Sequence, residues 1–387
     1  MNKTVVLKAG REKSLLRGHP WIFSGAIESI PTFEEGEILT VHSAKGEFLA
    51  KAYFHPTNSI AGRILSFSNV DIEFEIRKKI EEAHLLRQRL FDTAQTNCYR
   101  LINSEGDGLP GLIADYYNGY LVLQINTYGM ERLKSLLLQL LIEVVKPIGV
   151  YEKSCSSARR EEGLSDVQGW LYREPLAEVP VKENGLHLLA PIERGQKTGL
   201  FLDHREMRSL VSRFARDRRV LNCFSYTGSF SLFALQGGAR EVTSMDSSAF
   251  ALEIAKKSCE MNGFDRHLCV EENVFDFLKK APLDYDLIIL DPPAFVKKRR
   301  DIEKGCSAYR GINRQVLEKC PSGTLLLTSS CSYYIDETLF QKTIFEAAYA
   351  ARREVRILSR HLLAADHPIS LNHPEGSYLK SLFVYVT

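Results

Sequence analysis

The chain has eight cysteines and ten histidines among its 387 residues, yet it lacks both a Cys-x-x-Cys pair and a His-x-x-x-His pair. The first absence argues against a zinc ribbon or a thioredoxin-like site, and the second against a zincin-type metal centre. No metal site is therefore expected. No stretch of about 18 uninterrupted apolar residues occurs, so no transmembrane helix is expected. The opening residues lack the long apolar core and small-residue cleavage site of a secretory signal. Scattered cysteines in a chain of this length fit reduced, mostly buried thiols, and with them a cytoplasmic location. A strong charge of either sign is also missing. The net charge is +2 and the isoelectric point about 8.0, so any nucleic-acid partner must be argued from local patches.

The composition itself is ordinary for a globular protein, with 44% hydrophobic and 25% charged residues. At roughly 100–200 residues per domain, two or three domains are expected. Residues 1–70 read as a small β-module, with strand-like stretches at 5–7, 38–41, 48–54 and 60–67 between polar, Gly-containing segments. Residues 71–180 read as a central α+β domain. A helix is expected over 71–95, with Ile76, Ile80, Ala83, Leu86 and Leu90 on one face. Arg77, Lys78, Lys79, Arg87 and Arg89 fall off that face and read as a solvated surface. Hairpins around Gly106–Gly108 and Asn118-Gly119 and a helix over 129–145, stopped by Pro147, complete the domain. From 181 to 387 strands and helices alternate, the pattern of an α/β domain on a parallel sheet. Its strands are expected at 219–224, 241–245, 268–271, 285–290 and 324–329, its helices at 228–236, 248–261, 274–279, 309–319 and 336–350, and two strands follow.

Four signals sit at the C-terminal ends of those strands, where open α/β sheets bind ligands. The run Asn222, Cys223, Phe224, Ser225, Tyr226, Thr227, Gly228 ends a strand in a small-residue turn that opens a helix. Gly228 permits close backbone approach, and the helix N-terminus suits a carboxylate. This turn is not Gly-x-Gly-x-x-Gly, so it carries no dinucleotide fingerprint. Asp246, followed by Ser247, can accept hydrogen bonds from two ribose hydroxyls or cap the next helix. Asn273 and Val274 could read an adenine edge, with Asp276, three residues on, as an alternative cap or solvated end of the short helix. Asp291 precedes Pro292 and Pro293, which fix an extended turn that cannot continue a ladder.

In this order, with Ala294-Phe295 closing the Asp-Pro-Pro turn and Thr328-Ser329-Ser330-Cys331-Ser332 after the next strand, the motifs resemble class I S-adenosylmethionine-dependent methyltransferases. More narrowly, they resemble the large-subunit (23S) ribosomal RNA cytosine-5 methyltransferase family. The segment from Gln196 to Arg205 resembles the family's cofactor segment ahead of the Rossmann-like domain, which adds Lys197, Thr198, Phe201, Asp203 and Arg205 to the implied contacts. Gly18–Gly25 resembles an N-terminal PUA RNA-binding module. Glu105–Leu112 and Glu162–Leu164 resemble the central domain, and Asp366–Pro368 and Pro374–Lys380 match near the end. The resemblance implies a PUA-like domain over 1–70, a central α+β domain over 71–180 and a Rossmann-like methyltransferase domain over 181–387. It implies S-adenosyl-L-methionine as cofactor, 23S ribosomal RNA as substrate and, as in some relatives, a homodimer.

The chemistry needs a thiolate, because carbon 5 of cytosine is a poor nucleophile until sulfur adds to carbon 6. Cys331, amid three serines at a strand's ligand end, is the expected nucleophile, with Asp291 hydrogen-bonding the cytosine amino group and, when protonated, ring nitrogen 3. No residue is identified that removes the carbon-5 proton. Ala294 stands where some RNA cytosine methyltransferases carry a second cysteine. Two alternatives remain: methylation of a guanine or other exocyclic nitrogen by the same fold, which would need no thiol, and a non-catalytic RNA-binding or ribosome-assembly factor. Lys297–Arg300, directly after the Asp-Pro-Pro turn, reads as either a solvated loop or a phosphate contact.

Overall fold

The computed structural model describes residues 3–173, 175–280 and 282–387, which form two compact units. The first takes in Met1–Val179, Ala190–Leu200 and Ala365–Gly376, and the second Pro180–Leu189, Phe201–Ala364 and Ser377–Thr387.

The first unit begins with a six-stranded sheet of β1 (Thr4–Leu7), β2 (Trp21–Phe23), β3 (Ile27–Ser29), β4 (Ile38–His42), β5 (Phe48–Phe54) and β6 (Ile60–Ser66), in the order β2-β6-β5-β4-β1-β3. Sequence alternation marks four of these strands. β2 and β3 have three residues each, too few to show a period of two. Val5, Leu7, Leu39, Val41, Ala52 and Phe54 alternate inward to make a core of their own. A second sheet holds β7 (Cys98–Asn103), β8 (Leu112–Tyr117), β9 (Tyr120–Ile125), β10 (Gly149–Ser154) and β11 (Val167–Arg173), in the order β11-β10-β9-β8-β7.

The helix expected over 71–95 is Ile72–Leu90, capped by the Asp71 carboxylate on the Phe74 amide. Its basic residues do not form one solvated face. Arg87 is fully buried. It donates in bidentate fashion to Asp107 at 2.6 and 2.8 Å, and to the Arg100 and Asp366 carbonyls at 2.8 Å each. Charge alone marks such a residue as exposed; its partners, distant in sequence, bring it inside. The helix expected over 129–145 comes as two pieces, Tyr128–Arg132 and Lys134–Val145, and ends on left-handed Lys146 just before Pro147.

The hairpin of β12 (Glu178–Glu183) and β13 (Leu186–Pro191) leads to the seven-stranded sheet of the second unit. Its strands are β14 (Arg219–Cys223), β15 (Glu241–Asp246), β16 (His267–Glu271), β17 (Leu287–Leu290), β18 (Leu325–Ser330), β19 (Val355–His361) and β20 (Lys380–Val386). The order is β16-β15-β14-β17-β18-β20-β19, and only β20 runs against its neighbours. The central strands β17 and β18 are buried along their whole length, as a parallel sheet covered on both faces requires. The order reverses between β14 and β17, which creates the crevice where ligands bind in open sheets. The helix Ile302–Lys319 begins well before the expected residue 309. Its first turns are charged and contain Gly305, which hides the apolar period. A Cβ on Gly305 would lie 2.1 Å from Val296, so the glycine lets this helix press against the loop that follows Asp291.

Candidate active site

The turn after β14 is held in an unusual shape. Phe224, Tyr226 and Gly228 all have positive φ (57°, 47° and 72°), and only the last is glycine. Left-handed backbone costs about 1–2 kcal/mol for each non-glycine residue, so the surroundings must enforce it. They do so through the Ser225 amide on the Met245 carbonyl at 3.0 Å and the Tyr226 amide on Asp246 Oδ2 at 2.9 Å. Gly228 packs where a Cβ would meet Ala255 at 2.7 Å. Behind the turn, Asn222 donates to Ser231, which meets Ser244, which meets His267 Nε2 at 2.7 Å. Burial pulls the His267 pKa down to about 4, so the imidazole stays neutral in this chain. Asn222 thus spends its side chain supporting the turn from within the core.

Asp246 closes β15 with both oxygens partly used, Oδ2 by Tyr226 N and Oδ1 by Ser248 N at 2.9 Å each. Each oxygen keeps a lone pair for a hydroxyl group. Ser247 beside it is exposed. Ser225 Oγ is buried and has no hydrogen-bond partner among the described residues. A buried hydroxyl without a partner is costly unless a ligand supplies one. Asn273 caps the short helix Val274–Phe277 through its side-chain oxygen, and Val274 is buried beneath it. Aromatic rings line the region in sequence, with Phe224 against Phe275 at 5.4 Å and Phe201 against Tyr226 at 5.2 Å.

The segment singled out ahead of this domain divides between the units. Thr198 belongs to the first unit, where its hydroxyl donates to Asp115 at 2.5 Å and meets Tyr117. Lys197, also of the first unit, is left-handed at φ 46°. Phe201, Asp203 and Arg205 belong to the second. Asp203 accepts from the Tyr378 hydroxyl at 2.6 Å, and Arg205 lies 3.4 Å from Glu183, which Arg208 grips with two hydrogen bonds.

Asp291 follows β17 and Cys331 follows the adjacent strand β18, whose register pairs Leu290 with Thr328. Both residues therefore emerge from neighbouring strand ends, with Pro292 buried in the turn between Asp291 and the helix. Ser332 locks the two loops together, accepting from the Val296 amide at 3.1 Å and meeting the Tyr309 hydroxyl at 3.0 Å. Cys331 is partly exposed. Lys380, opposite Ser330 in β20, is almost fully buried and donates to the Ser332 and Tyr378 carbonyls at 2.6 and 2.8 Å. Burial pulls its pKa down to about 8, while the Cys331, Asp336 and Glu337 charges favour its ammonium form.

Sequence reading misses four participants. Lys380 lies in a matched motif but shows its place only through strand pairing. His204, in the run from Gln196 to Arg205, has Nε2 3.2 Å from Asp291 Oδ2. Tyr333 and Tyr334, exposed next to Cys331, pack edge to face at 5.1 Å.

Comparison with known proteins gives a consistent picture. Residues 5–67 match the PUA-like domain family, and residues 109–359 match the S-adenosylmethionine-dependent methyltransferase family. The chain is 39% identical over 396 residues to "Ribosomal RNA large subunit methyltransferase I" of Alteromonas mediterranea, with all of both chains covered. It is 40% identical to the protein of the same name from Vibrio vulnificus, with 98% of each covered. Among solved structures, one from Streptococcus mutans described as a candidate SAM-dependent methyltransferase superposes over the whole of both chains, at a TM-score of 0.85 and 26% identity. A methyltransferase structure complexed with SAH also covers both chains fully, at a TM-score of 0.86 and 26% identity.

Proposed function

From the premise that this chain belongs to the S-adenosylmethionine-dependent methyltransferase family and carries a PUA-like domain, we propose that it methylates carbon 5 of a cytosine in large-subunit ribosomal RNA. The observation that carries this reading is the placement of a partly exposed thiol, Cys331, at the strand end beside that of Asp291. A nitrogen nucleophile would need no such thiol.

The residues at the β14 and β15 ends fit the cofactor. Ser225 Oγ is a buried hydroxyl awaiting a partner, and Asp246 has lone pairs for two ribose hydroxyls. Phe224, Tyr226, Thr227 and Gly228 would line the methionine end, Asn273 and Val274 the adenine, and Phe201, Asp203 and Arg205 the opposite side. The bound cofactor supplies an electrophilic methyl group on a sulfonium sulfur.

Cys331 Sγ, as the thiolate, forms a bond to carbon 6 and pushes the 5,6 electron pair toward carbon 5. An ordinary cysteine is only a few per cent ionised at neutral pH, so the thiolate needs nearby positive charge or donors. Lys380 supplies an ammonium on the adjacent strand, and it interacts electrostatically with Cys331. Asp291 presents a proton to ring nitrogen 3 as the ring accepts the thiolate. After methyl transfer, loss of the carbon-5 proton restores the double bond and expels Cys331. The target base must be single-stranded or flipped out to reach this site, and Tyr333 and Tyr334 offer it ring faces for stacking.

RNA carrying 5-fluorocytosine tests the reading, because fluorine cannot leave as a proton does. A covalent protein–RNA adduct should form with cofactor present, vanish in Cys331→Ala and persist in Cys306→Ser. A Cys331→Ala protein that methylates at the normal rate would overturn it in favour of an exocyclic nitrogen.

A further inference from the structure

We propose that His204 is a positioning residue that acts through Asp291, keeping a proton on the histidine–aspartate pair so that Asp291 can present it to the substrate ring. This rests on the cytosine-5 reading above.

The geometry is specific. His204 lies in the short helical turn Leu202–His204, on the same unit as Asp291, and is buried to 3% of its surface. Its Nε2 is 3.2 Å from Asp291 Oδ2. The ring is held edge to face against Phe230, with centroids 5.5 Å apart. Its Nδ1 is buried and has no hydrogen-bond partner among the described residues, so no acceptor on that side dictates a tautomer. A purely structural histidine commonly has both nitrogens satisfied. Among the described residues, this one meets the carboxylate through which the proton must pass.

The charged neighbours fix the direction of titration. Burial by itself disfavours the imidazolium, but Asp291, through charge and hydrogen bond, and then Asp203 outweigh it, with Arg208 opposing; the pKa is raised above its ordinary value. His361 also lies within electrostatic reach. An aspartate alone has an ordinary pKa near 4 and would be almost wholly ionised at neutral pH. With the Asp291 carboxylate beside it, His204 keeps its proton to higher pH than an ordinary histidine.

The step balances without further reagents. The proton starts on His204 Nε2 with Asp291 ionised; as Sγ bonds to carbon 6, Asp291 takes the Nε2 proton and passes it to nitrogen 3, which leaves Asp291 ionised and His204 neutral. When the carbon-5 proton is lost and the thiolate leaves, nitrogen 3 returns its proton to Asp291 and hence to His204. The net proton released is the one from carbon 5.

The test compares His204→Gln, which keeps a donor but cannot titrate, with the intact protein. Methyl transfer at saturating RNA and cofactor is followed from pH 6 to 9, with cofactor affinity measured by calorimetry. The expected result is that the high-pH limb of kcat moves at least one unit toward acid in His204→Gln, with a rate loss of about tenfold or more at pH 8 and cofactor affinity within twofold. Superimposable pH profiles would overturn the proposal. So would parallel loss of rate and cofactor affinity at every pH, which signals a structural role. The fluorocytosine adduct of the intact protein is scored alongside. Its absence counts against the cytosine-5 reading, whereas an adduct with unshifted profiles counts against the role of His204 alone.

Discussion

Buried charge in the first unit and buried polarity at the strand ends of the second are treated in opposite ways. In the first unit the arginines close on carboxylates: Arg87 on Asp107, Arg100 on Asp115, Arg63 on Glu162 and Arg159 on Glu131. Around the candidate site, Ser225 Oγ, Thr328 Oγ1 and His204 Nδ1 are buried with no partner among the described residues. A closed pair adds little net stability but is expensive to break, whereas an open polar atom is a standing cost that a ligand can remove. The first arrangement suits a scaffold and the second a site.

The most severe break of this contrast is Arg87→Met. It leaves Asp107 buried without its cation, and we expect a loss of about 3–5 kcal/mol in urea unfolding. Adding Asp107→Asn should recover part of it, and an unchanged midpoint in the single variant would show that the network is not closed in solution. At the open end, Asp246→Ala should weaken cofactor binding by about 1.5–3 kcal/mol for each charge-assisted bond removed, read by calorimetry. Equal affinity would remove Asp246 from the cofactor site. The smallest effect concerns charges that are neither closed nor buried. Lys297, Lys298, Arg299 and Arg300 are all exposed, and neutralising them should lower the salt slope of RNA binding by up to about 0.7 for each phosphate that no longer meets a cation. A slope that does not move returns the run to a solvated loop.

Much of this contrast is hidden from the sequence for physical reasons. The alternating strands and helices of the second unit are legible because its central strands bury unbroken apolar stretches, and strand-end residues such as Asp246, Asp291 and Cys331 follow from that frame. What escapes is whatever depends on partners far along the chain. Arg87 reads as solvated because its partner Asp107 and the Asp366 carbonyl are 20 and 279 residues away. Lys380 comes beside Ser330 only through antiparallel pairing of β20 with β18. His204 meets Asp291 by folding back from before β14. The short strands β2 and β3 escape for a different reason, since three residues carry no period.

The position of β20 between β18 and β19 also has a kinetic consequence. Within the sheet, β19 is bonded only to a strand that follows it in the chain, so it must wait for β20 before it can dock. The same event carries Lys380 to the Ser332 carbonyl. Long-range strand pairing of this kind is slow, because chain closure precedes the contacts that reward it. In refolding from urea, recovery of catalytic competence should therefore coincide with the last burial of β19, later than the closure of the five parallel strands.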